Sequence, residues 1–177
     1  MTRAAVGLLL AAAGCSSPAD PAAGRLTARV SYTARDSTPI QAPAWLRPCG
    51  GGRGYLLGGE DHGSGVLAWV RTGGRDSTLA GRYVALSRWD TVTARGAVVA
   101  VRFLTGDMAH GLALDSGSVV VTAGGAGGTM GATAAQIEGS GLETAQGRRV
   151  HLKARFAELP PIRPHQASDT AACQVRL

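Results

Sequence analysis

The segment LTARVSYTAR, which spans Leu26–Arg35, alternates apolar and polar side chains at every position. Successive side chains of a β-strand point to opposite faces, so this period of two predicts a strand with one buried face. The apolar face comprises Leu26, Ala28, Val30, Tyr32 and Ala34. We therefore expect the domain to be built around a half-buried strand at this position.

A second segment, Val150–Phe156, repeats the alternation near the other end of the chain. Its predicted inner residues are Val150, Leu152, Ala154 and Phe156, and its predicted outer residues are His151, Lys153 and Arg155. Elsewhere, short apolar runs alternate with glycine-rich turns, and beyond the first residues nothing has the helical period of 3.6. The sequence therefore predicts an all-β domain, an antiparallel β-sandwich of Ig-like or jelly-roll-like type, with a small open β-barrel as the alternative.

The connections between these two segments are predicted from proline, glycine and aspartate. Pro39, Pro43 and Pro48 favour an irregular segment, with Trp45 packed into the core there. Asp115-Ser116-Gly117 predicts a hairpin turn between two short strands. Further strands are predicted at Arg53–Leu57, Val66–Arg71, Leu79–Leu86, Ala97–Leu104, Ala109–Leu114, Val119–Thr122, Thr129–Ile137 and Cys173–Leu177.

The first residues have the layout of a secretory signal, because a single cation, Arg3, precedes the apolar run Ala4–Ala13. That run is about half the roughly 20 residues that a membrane-spanning helix needs. Ala12-Ala13-Gly14-Cys15 resembles the lipobox of bacterial prolipoproteins, and the resemblance implies cleavage before Cys15 and acylation of that cysteine. Ordinary cleavage after Ala11–Ala13 is the alternative.

The resemblance implies a bacterial cell-envelope lipoprotein, anchored to a membrane through Cys15 and facing the extracytoplasmic side. Residues 1–14 are then a signal peptide, residues 15–24 a flexible tether rich in Ser, Pro, Ala and Gly, and residues 25–177 a single domain. The predicted hairpin from Thr129 to Phe156 also loosely resembles those of β-sandwich envelope lipoproteins of unknown function, and that likeness identifies no activity.

Once Cys15 is assigned to lipid, two cysteines remain. Cys49 and Cys173 form an even pair, and in an oxidising compartment such a pair predicts a disulfide. The alternatives are two free thiols or a catalytic cysteine with a nearby histidine.

The charge pattern argues against nucleic acid as a partner. The chain carries 18 Lys and Arg against 12 Asp and Glu, a net charge of +6, but the cations are scattered and Arg148-Arg149 is their only adjacent pair. Nucleic-acid binders instead cluster Lys and Arg on one face. The excess of Arg is interpreted as codon bias, and weak attraction for anionic lipid or polysaccharide is the alternative.

Glu60, Asp61, His62 and Ser64 form the most polar cluster of a glycine-rich loop. Metal-ligand spacings and the G-x-S-x-G nucleophile motif are absent from the sequence, and the glycine-rich run Gly124–Gly128 lacks the Lys-Ser/Thr pair of a phosphate loop. We therefore expect a solvated turn, with no cofactor, metal or catalytic residue.

These observations predict a non-catalytic envelope lipoprotein whose β-domain binds a protein partner, a glycan or a lipid. The alternative is an envelope hydrolase or metal-dependent enzyme that uses the Glu60–Ser64 loop with His110 or His151. The two hypotheses differ in geometry, because the enzyme requires His62, His110 and an acid to converge around a pocket.

Overall fold

The structure, a computed structural model, describes residues 24–33, 35–49, 54–74, 78–122 and 133–160. These residues form nine strands and no helix, which confirms the all-β class predicted from the sequence. The strands are β1 (Gly24–Ser31), β2 (Ser37–Pro48), β3 (Tyr55–Asp61), β4 (Ser64–Thr72), β5 (Gly81–Leu86), β6 (Arg95–Thr105), β7 (Met108–Thr122), β8 (Thr133–Glu143) and β9 (Arg149–Leu159).

The strands form one sheet that closes into a barrel in the order β1-β2-β3-β4-β6-β5-β7-β8-β9, and β9 pairs with β1. All ladders are antiparallel except the short parallel pairing of β5 with β6. We call the end where β1 begins the base, and the end carrying the tight β3–β4 and β6–β7 turns the top. The half of β6 nearer the top pairs directly with β7, so β5 lies between β6 and β7 only near the base.

This closure differs from the sandwich that the sequence favoured. The pattern of alternation is the same in a sandwich strand and in a barrel strand, because both bury one face. The two folds differ in whether the first and last strands pair, here through Arg25 opposite Ala157 to Ser31 opposite His151. A single closed sheet therefore replaces two packed sheets.

The barrel interior is filled by alternate residues of every strand. Leu26, Ala28 and Val30 of β1 are buried, as are the predicted inner residues of β9, and His151, Lys153 and Arg155 lie outside as predicted. Tyr32, beyond the end of β1, is only partly buried, and the predicted inner residue Ala34 lies outside the described residues. The largest fully buried side chains include Tyr83, Phe103 and Phe156. A barrel of this size is closed by packed side chains, so function is expected on its outer faces or at its ends.

The prediction of an irregular segment around the prolines is wrong, because β2 runs without interruption from Ser37 to Pro48. Proline cannot donate a backbone hydrogen bond, so within sheets it is confined to positions where the N–H has no strand to reach. Pro39 and Pro43 satisfy this rule, since β3 pairs only with Ala44–Pro48. Trp45 lies on the outer face between buried Ala44 and Leu46, and the prediction that it fills the core is also wrong.

Two further predicted boundaries differ from the structure. Asp115-Ser116-Gly117 is a β-bulge inside the continuous strand β7, with a register shift between Leu114 and Ser116, and not a hairpin turn. Strand β8 extends to Glu143, beyond the predicted end at Ile137, and pairs on both sides. Its close packing explains the glycines, because a Cβ at Gly141 would lie 2.0 Å from the carbonyl oxygen of Ala113.

Several predictions fall outside the described residues: the signal peptide and Cys15, the tether before Gly24, the Gly124–Gly128 connection, and the closing strand with Cys173. Within the described residues, no helix has the length and hydropathy to cross a membrane.

Candidate functional site

The predicted polar loop is the two-residue turn between β3 and β4. His62 and Gly63 both have positive φ, 47° and 76°, as the type I′ turn of a tight hairpin requires. His62 Nδ1 lies 2.9 Å from Asp61 Oδ1, and the His62 side chain is 92% exposed. The hydroxyl of Ser64 accepts a hydrogen bond from the Leu104 amide across the top of the barrel. The polar side chains of this loop therefore belong to a tight turn that is open to solvent.

His110 lies inside the barrel, which the sequence did not predict. Its Nδ1 is 2.8 Å from Oε1 of Glu143, its Nε2 contacts the hydroxyl of Thr105, and both His110 and Glu143 are buried. The second carboxylate oxygen of Glu143 accepts a hydrogen bond of 3.4 Å from the Tyr32 hydroxyl. Buried polar groups are stable only when they are paired, and this chain of contacts pairs them.

Aromatic rings enclose this buried cluster at the top of the barrel. The Phe103 ring stacks on His110 with centroids 5.0 Å apart and meets Tyr32 edge-on at 6.2 Å. Arg148 lies over the outer side of the Tyr32 ring at 4.2 Å. The pKa of Tyr32 is raised, first because the ring is partly buried and then because the Glu143 carboxylate is close.

Hydroxyl, imidazole and carboxylate follow one another here in the order used by nucleophilic hydrolases. A catalytic nucleophile must also face a space for the substrate, and Thr105 lines none of the three grooves described below, whereas His110 borders the one over β2, β3, β4 and β6. His62 is on the exposed turn, His110 is buried and His151 is on the outer face, so the three side chains lie in different surroundings. Among the described residues, no group of three His, Cys, Asp or Glu side chains could hold a metal ion.

The outer face of β1, β9, β8, β7 and β5 carries many polar and charged side chains, and we call it the basic face. Strand register aligns its side chains in three rows across the sheet. Residues that lie opposite each other in neighbouring strands point to the same face of the sheet. Each row therefore joins outward residues from four or more strands. The rows are Ser31, His151, Ser140 and Ser116; Arg29, Lys153, Glu138 and Ser118; and Thr27, Arg155, Gln136, Val120 and Arg82.

A groove of about 800 Å³ follows the first two rows, and a smaller one of about 430 Å³ continues along the third. Their four cationic side chains, Arg29, Arg82, Lys153 and Arg155, face one carboxylate, Glu138, which pairs with Lys153 at 3.0 Å. The grooves therefore present an excess of positive charge beside a row of hydroxyl groups.

The upper rim of the basic face is held rigid by ion pairing. Both guanidinium nitrogens of Arg149 donate to the carboxylate of Asp115, at 2.8 and 3.0 Å. This pairing holds the pKa of Asp115 below its usual value and raises the pKa of Arg149. Next to it, the hydroxyls of Ser116 and Ser140 lie 2.9 Å apart. The bulge residues therefore have fixed positions beside the groove.

The opposite outer face, over β2, β3, β4 and β6, carries a less polar groove of about 630 Å³. The indole of Trp45 lies across Gly58, where a Cβ would come within 2.2 Å of the ring. Leu67 and Ala100 form its floor, and Arg88 and Arg102 border it. Arg47 lies over the Trp45 ring at 4.7 Å, so this tryptophan already has a cationic partner within the chain.

Cys49 is buried directly after β2, at the base of the barrel. Its predicted partner Cys173 is outside the described residues, so the Cys49–Cys173 disulfide stays a prediction. Burial of Cys49 is compatible with a structural role and gives no sign of a reactive thiol.

Sequence reasoning missed the buried cluster and the basic face for different reasons. His110 shares the inward parity of Leu112 and Leu114, a signal that was available in the segment HGLAL. Glu143 lies between the predicted strands Thr129–Ile137 and Val150–Phe156, so alternation predicted no face for its side chain. The basic face depends on the register of strands far apart in sequence, and alternation alone does not fix register.

Comparisons with protein families, with characterised proteins and with solved structures find no match to this chain.

Proposed function

We propose that this protein is a cell-envelope lipoprotein, acylated at Cys15, whose barrel binds an anionic glycan along the basic face. The proposal is based on two kinds of side chain that lie side by side in the adjoining grooves. Unneutralised cations occupy two rows, and hydroxyl groups occupy the row beside them. Carboxylate- or phosphate-bearing sugars require both, since cations attract the acid groups and hydroxyls exchange hydrogen bonds with the sugar hydroxyls.

The shape of the groove favours an extended ligand. The rows run across several adjacent strands, and the large groove is continued by the smaller one through the shared residues Arg82, Ser118, Glu138 and Lys153. A polymer that lies along both grooves would meet Arg29 and Arg155 at separate sugar units. Multiple weak contacts of this kind add up only for a chain of linked sugars.

The proposed role is binding, and it assigns no catalytic residue. Exposed cations form interactions that are individually weak and are screened by salt. The affinity should therefore be modest for a short oligosaccharide, rise with its length and fall as the ionic strength is raised.

The test uses polygalacturonate as the acidic polymer and dextran as the neutral one, with binding measured by titration calorimetry at low and physiological salt. We expect polygalacturonate to bind and dextran not to bind. The variants Arg29→Gln and Arg155→Gln should each weaken binding, because each removes one unneutralised cation from the groove.

The matched control is Arg102→Gln, which removes an exposed arginine from the opposite outer face. Equal weakening by Arg102→Gln would show that only net charge matters, and equal binding of dextran would show that the acid groups do not matter. Either result would overturn the proposal.

A further inference from the structure

The two most exposed of the large apolar side chains in the described residues lie in one loop. Trp89 is 76% exposed and Val92 is 89% exposed, and both belong to the connection between β5 and β6. Displaying a tryptophan and a valine to water has a cost in free energy, because each would gain by burial against an apolar partner. The pairing of these two side chains in one loop therefore indicates a contact surface.

Hydrogen bonds hold this loop in one shape. The carboxylate of Asp90 accepts from the amides of Val92 and Thr93, at 3.1 and 2.8 Å, and from the Thr93 hydroxyl at 2.6 Å. The buried guanidinium of Arg71 donates to the carbonyl oxygens of Asp90 and Thr93, at 2.6 and 3.1 Å. The apolar side chains are thus presented by a fixed scaffold.

The loop also carries positive charge next to its apolar residues. The Arg88 guanidinium lies over the Trp89 ring at 4.4 Å, and Arg88 is exposed. Asp90 is the one acid between Ser87 and Arg95, and its carboxylate is engaged within the loop. An exposed tryptophan beside an unneutralised arginine matches the boundary of an anionic bilayer, where the indole sits at headgroup depth and the cation meets lipid phosphate.

The loop lies against the outer wall of the barrel: Leu86 before it pairs with Val98 in the lower half of β6, and Arg71, which holds its second half, pairs with Gly96 near the base. Arg88, near its start, borders the groove over β2, β3, β4 and β6. Arg71, which holds the loop, is the second-last residue of β4, and β4 ends at the base of the barrel. Gly24 begins β1 at the same end. Eight residues separate Cys15 from Gly24, and the nine steps along the chain from one to the other span at most about 30 Å. A lipid on Cys15 would therefore keep the base of the barrel near the membrane.

We propose that the β5–β6 loop, residues 87–93, is a membrane-contact loop that rests Trp89 and Val92 in the surface of an anionic bilayer. The proposal goes beyond glycan binding and uses a different face of the barrel. It draws on the predicted acylation of Cys15 only for orientation.

The test places the full chain in vesicles that contain phosphatidylglycerol with brominated acyl chains, which quench tryptophan fluorescence on contact. We expect quenching in the unsubstituted protein and in Trp45→Phe, and loss of most of it in Trp89→Phe. Phosphatidylcholine vesicles with the same brominated chains should quench less, because they offer Arg88 no net negative surface. Near-ultraviolet circular dichroism of each variant checks that the barrel is intact.

Quenching that survives in Trp89→Phe, or is absent from the unsubstituted protein in membranes, would overturn the contact proposal. Equal quenching in both lipids would overturn the role of anionic headgroups. Fluorescence quenching reports whether Trp89 contacts the lipid, whatever attaches the chain to the membrane. It is also independent of polygalacturonate binding, so failure of one proposal is distinguishable from failure of the other.

Discussion

Nδ1 of His110 lies 2.8 Å from Oε1 of Glu143, and both side chains are enclosed at the top of the barrel. The two residues come from strands β7 and β8, which pair from Leu112 opposite Glu143 onward. The pair therefore links the ends of β7 and β8 inside the barrel. The contact of His110 with Thr105 and that of Glu143 with Tyr32 also link the pair to β6 and to the segment after β1.

Replacing Glu143 should therefore be costly. Glu143→Ala leaves the Nδ1 side of a buried imidazole without its partner, and the loss of a buried polar partner costs about 1 to 5 kcal/mol, from a neutral hydrogen bond to an ion pair. The measurement is the free energy of unfolding in urea. Glu138→Ala is the control, since its carboxylate is 71% exposed and its pair with Lys153 contributes at most about 1 kcal/mol. Similar losses in the two variants would contradict the structural role of the cluster.

The bulge in β7 should depend on glycine at position 117. Gly117 has φ of 121°, and a Cβ there would lie 2.2 Å from the carbonyl oxygen of Glu138. Gly117→Ala should lower the free energy of unfolding by about 2 to 4 kcal/mol, from strain plus backbone displacement. Gly106→Ala provides the comparison, because it has φ of 59° and open space around it, so only about 1 to 2 kcal/mol is expected. Equal effects would show that the close approach at Gly117 does not matter.

Asp90 should make the β5–β6 loop sensitive to acid. Hydrogen bonds from Thr93 hold the pKa of Asp90 below its usual value, with smaller help from Val92 and Arg71. Its stabilising effect is therefore present above the ordinary aspartate pKa of about 3.9 and is lost as pH falls through the lowered pKa. The difference in urea midpoint between the unsubstituted protein and Asp90→Asn should be largest near neutral pH and shrink on acidification.

Thr93→Val is the matched variant, because it removes the hydroxyl that contributes most to this effect. We expect it to reduce the acid dependence of the unsubstituted protein in the same direction as Asp90→Asn. A difference in midpoint that stays constant from neutral pH to strongly acidic pH would contradict the assignment.

The cysteine prediction can be tested by mass spectrometry. If Cys49 and Cys173 are bridged, unfolded protein should resist alkylation at both positions until a reductant is added. Cys173→Ser should lower the free energy of unfolding by about 4 to 5 kcal/mol, since the bridge would close a loop of more than 100 residues. Alkylation of both cysteines in unreduced protein would contradict the disulfide.

The lipid prediction concerns Cys15 alone. Cys15→Ser should move the protein out of the membrane fraction, because several acyl chains anchor a protein stably and their loss leaves only weak surface contacts. Fractionation of cells with detection of the protein measures this directly. Unchanged sedimentation of Cys15→Ser with membranes would contradict acylation.

Local pattern predicted the all-β class and the two most regular strands correctly. The inward faces of β1 and β9 follow from alternation, because each apolar residue there lies opposite another apolar residue in the partner strand. The same logic failed at β2, where Pro39 and Pro43 were taken to break a strand. They occupy positions that need no donor, and only the three-dimensional pairing shows which positions those are.

The candidate site was harder to predict than the fold. Arg29, Lys153 and Glu138 are far apart in sequence, and they form a row only because β1, β9 and β8 pair in one register. A shift of one residue would turn each of them into the core, so the basic face is a property of the register. The polar Glu60–Ser64 loop attracted attention because its residues are adjacent, yet its geometry is that of a tight turn.

The pairing that completes the barrel joins Arg25 to Ala157, which is 132 residues further along the chain. Such a distant contact cannot form until β9, the last strand of the described residues, has been synthesised, and long-range strand pairing is slow in any case. For the exported lipoprotein proposed above, the barrel could close only after β9 had also crossed the membrane to reach β1. Folding would then be completed outside the cytosol as a consequence of the strand order.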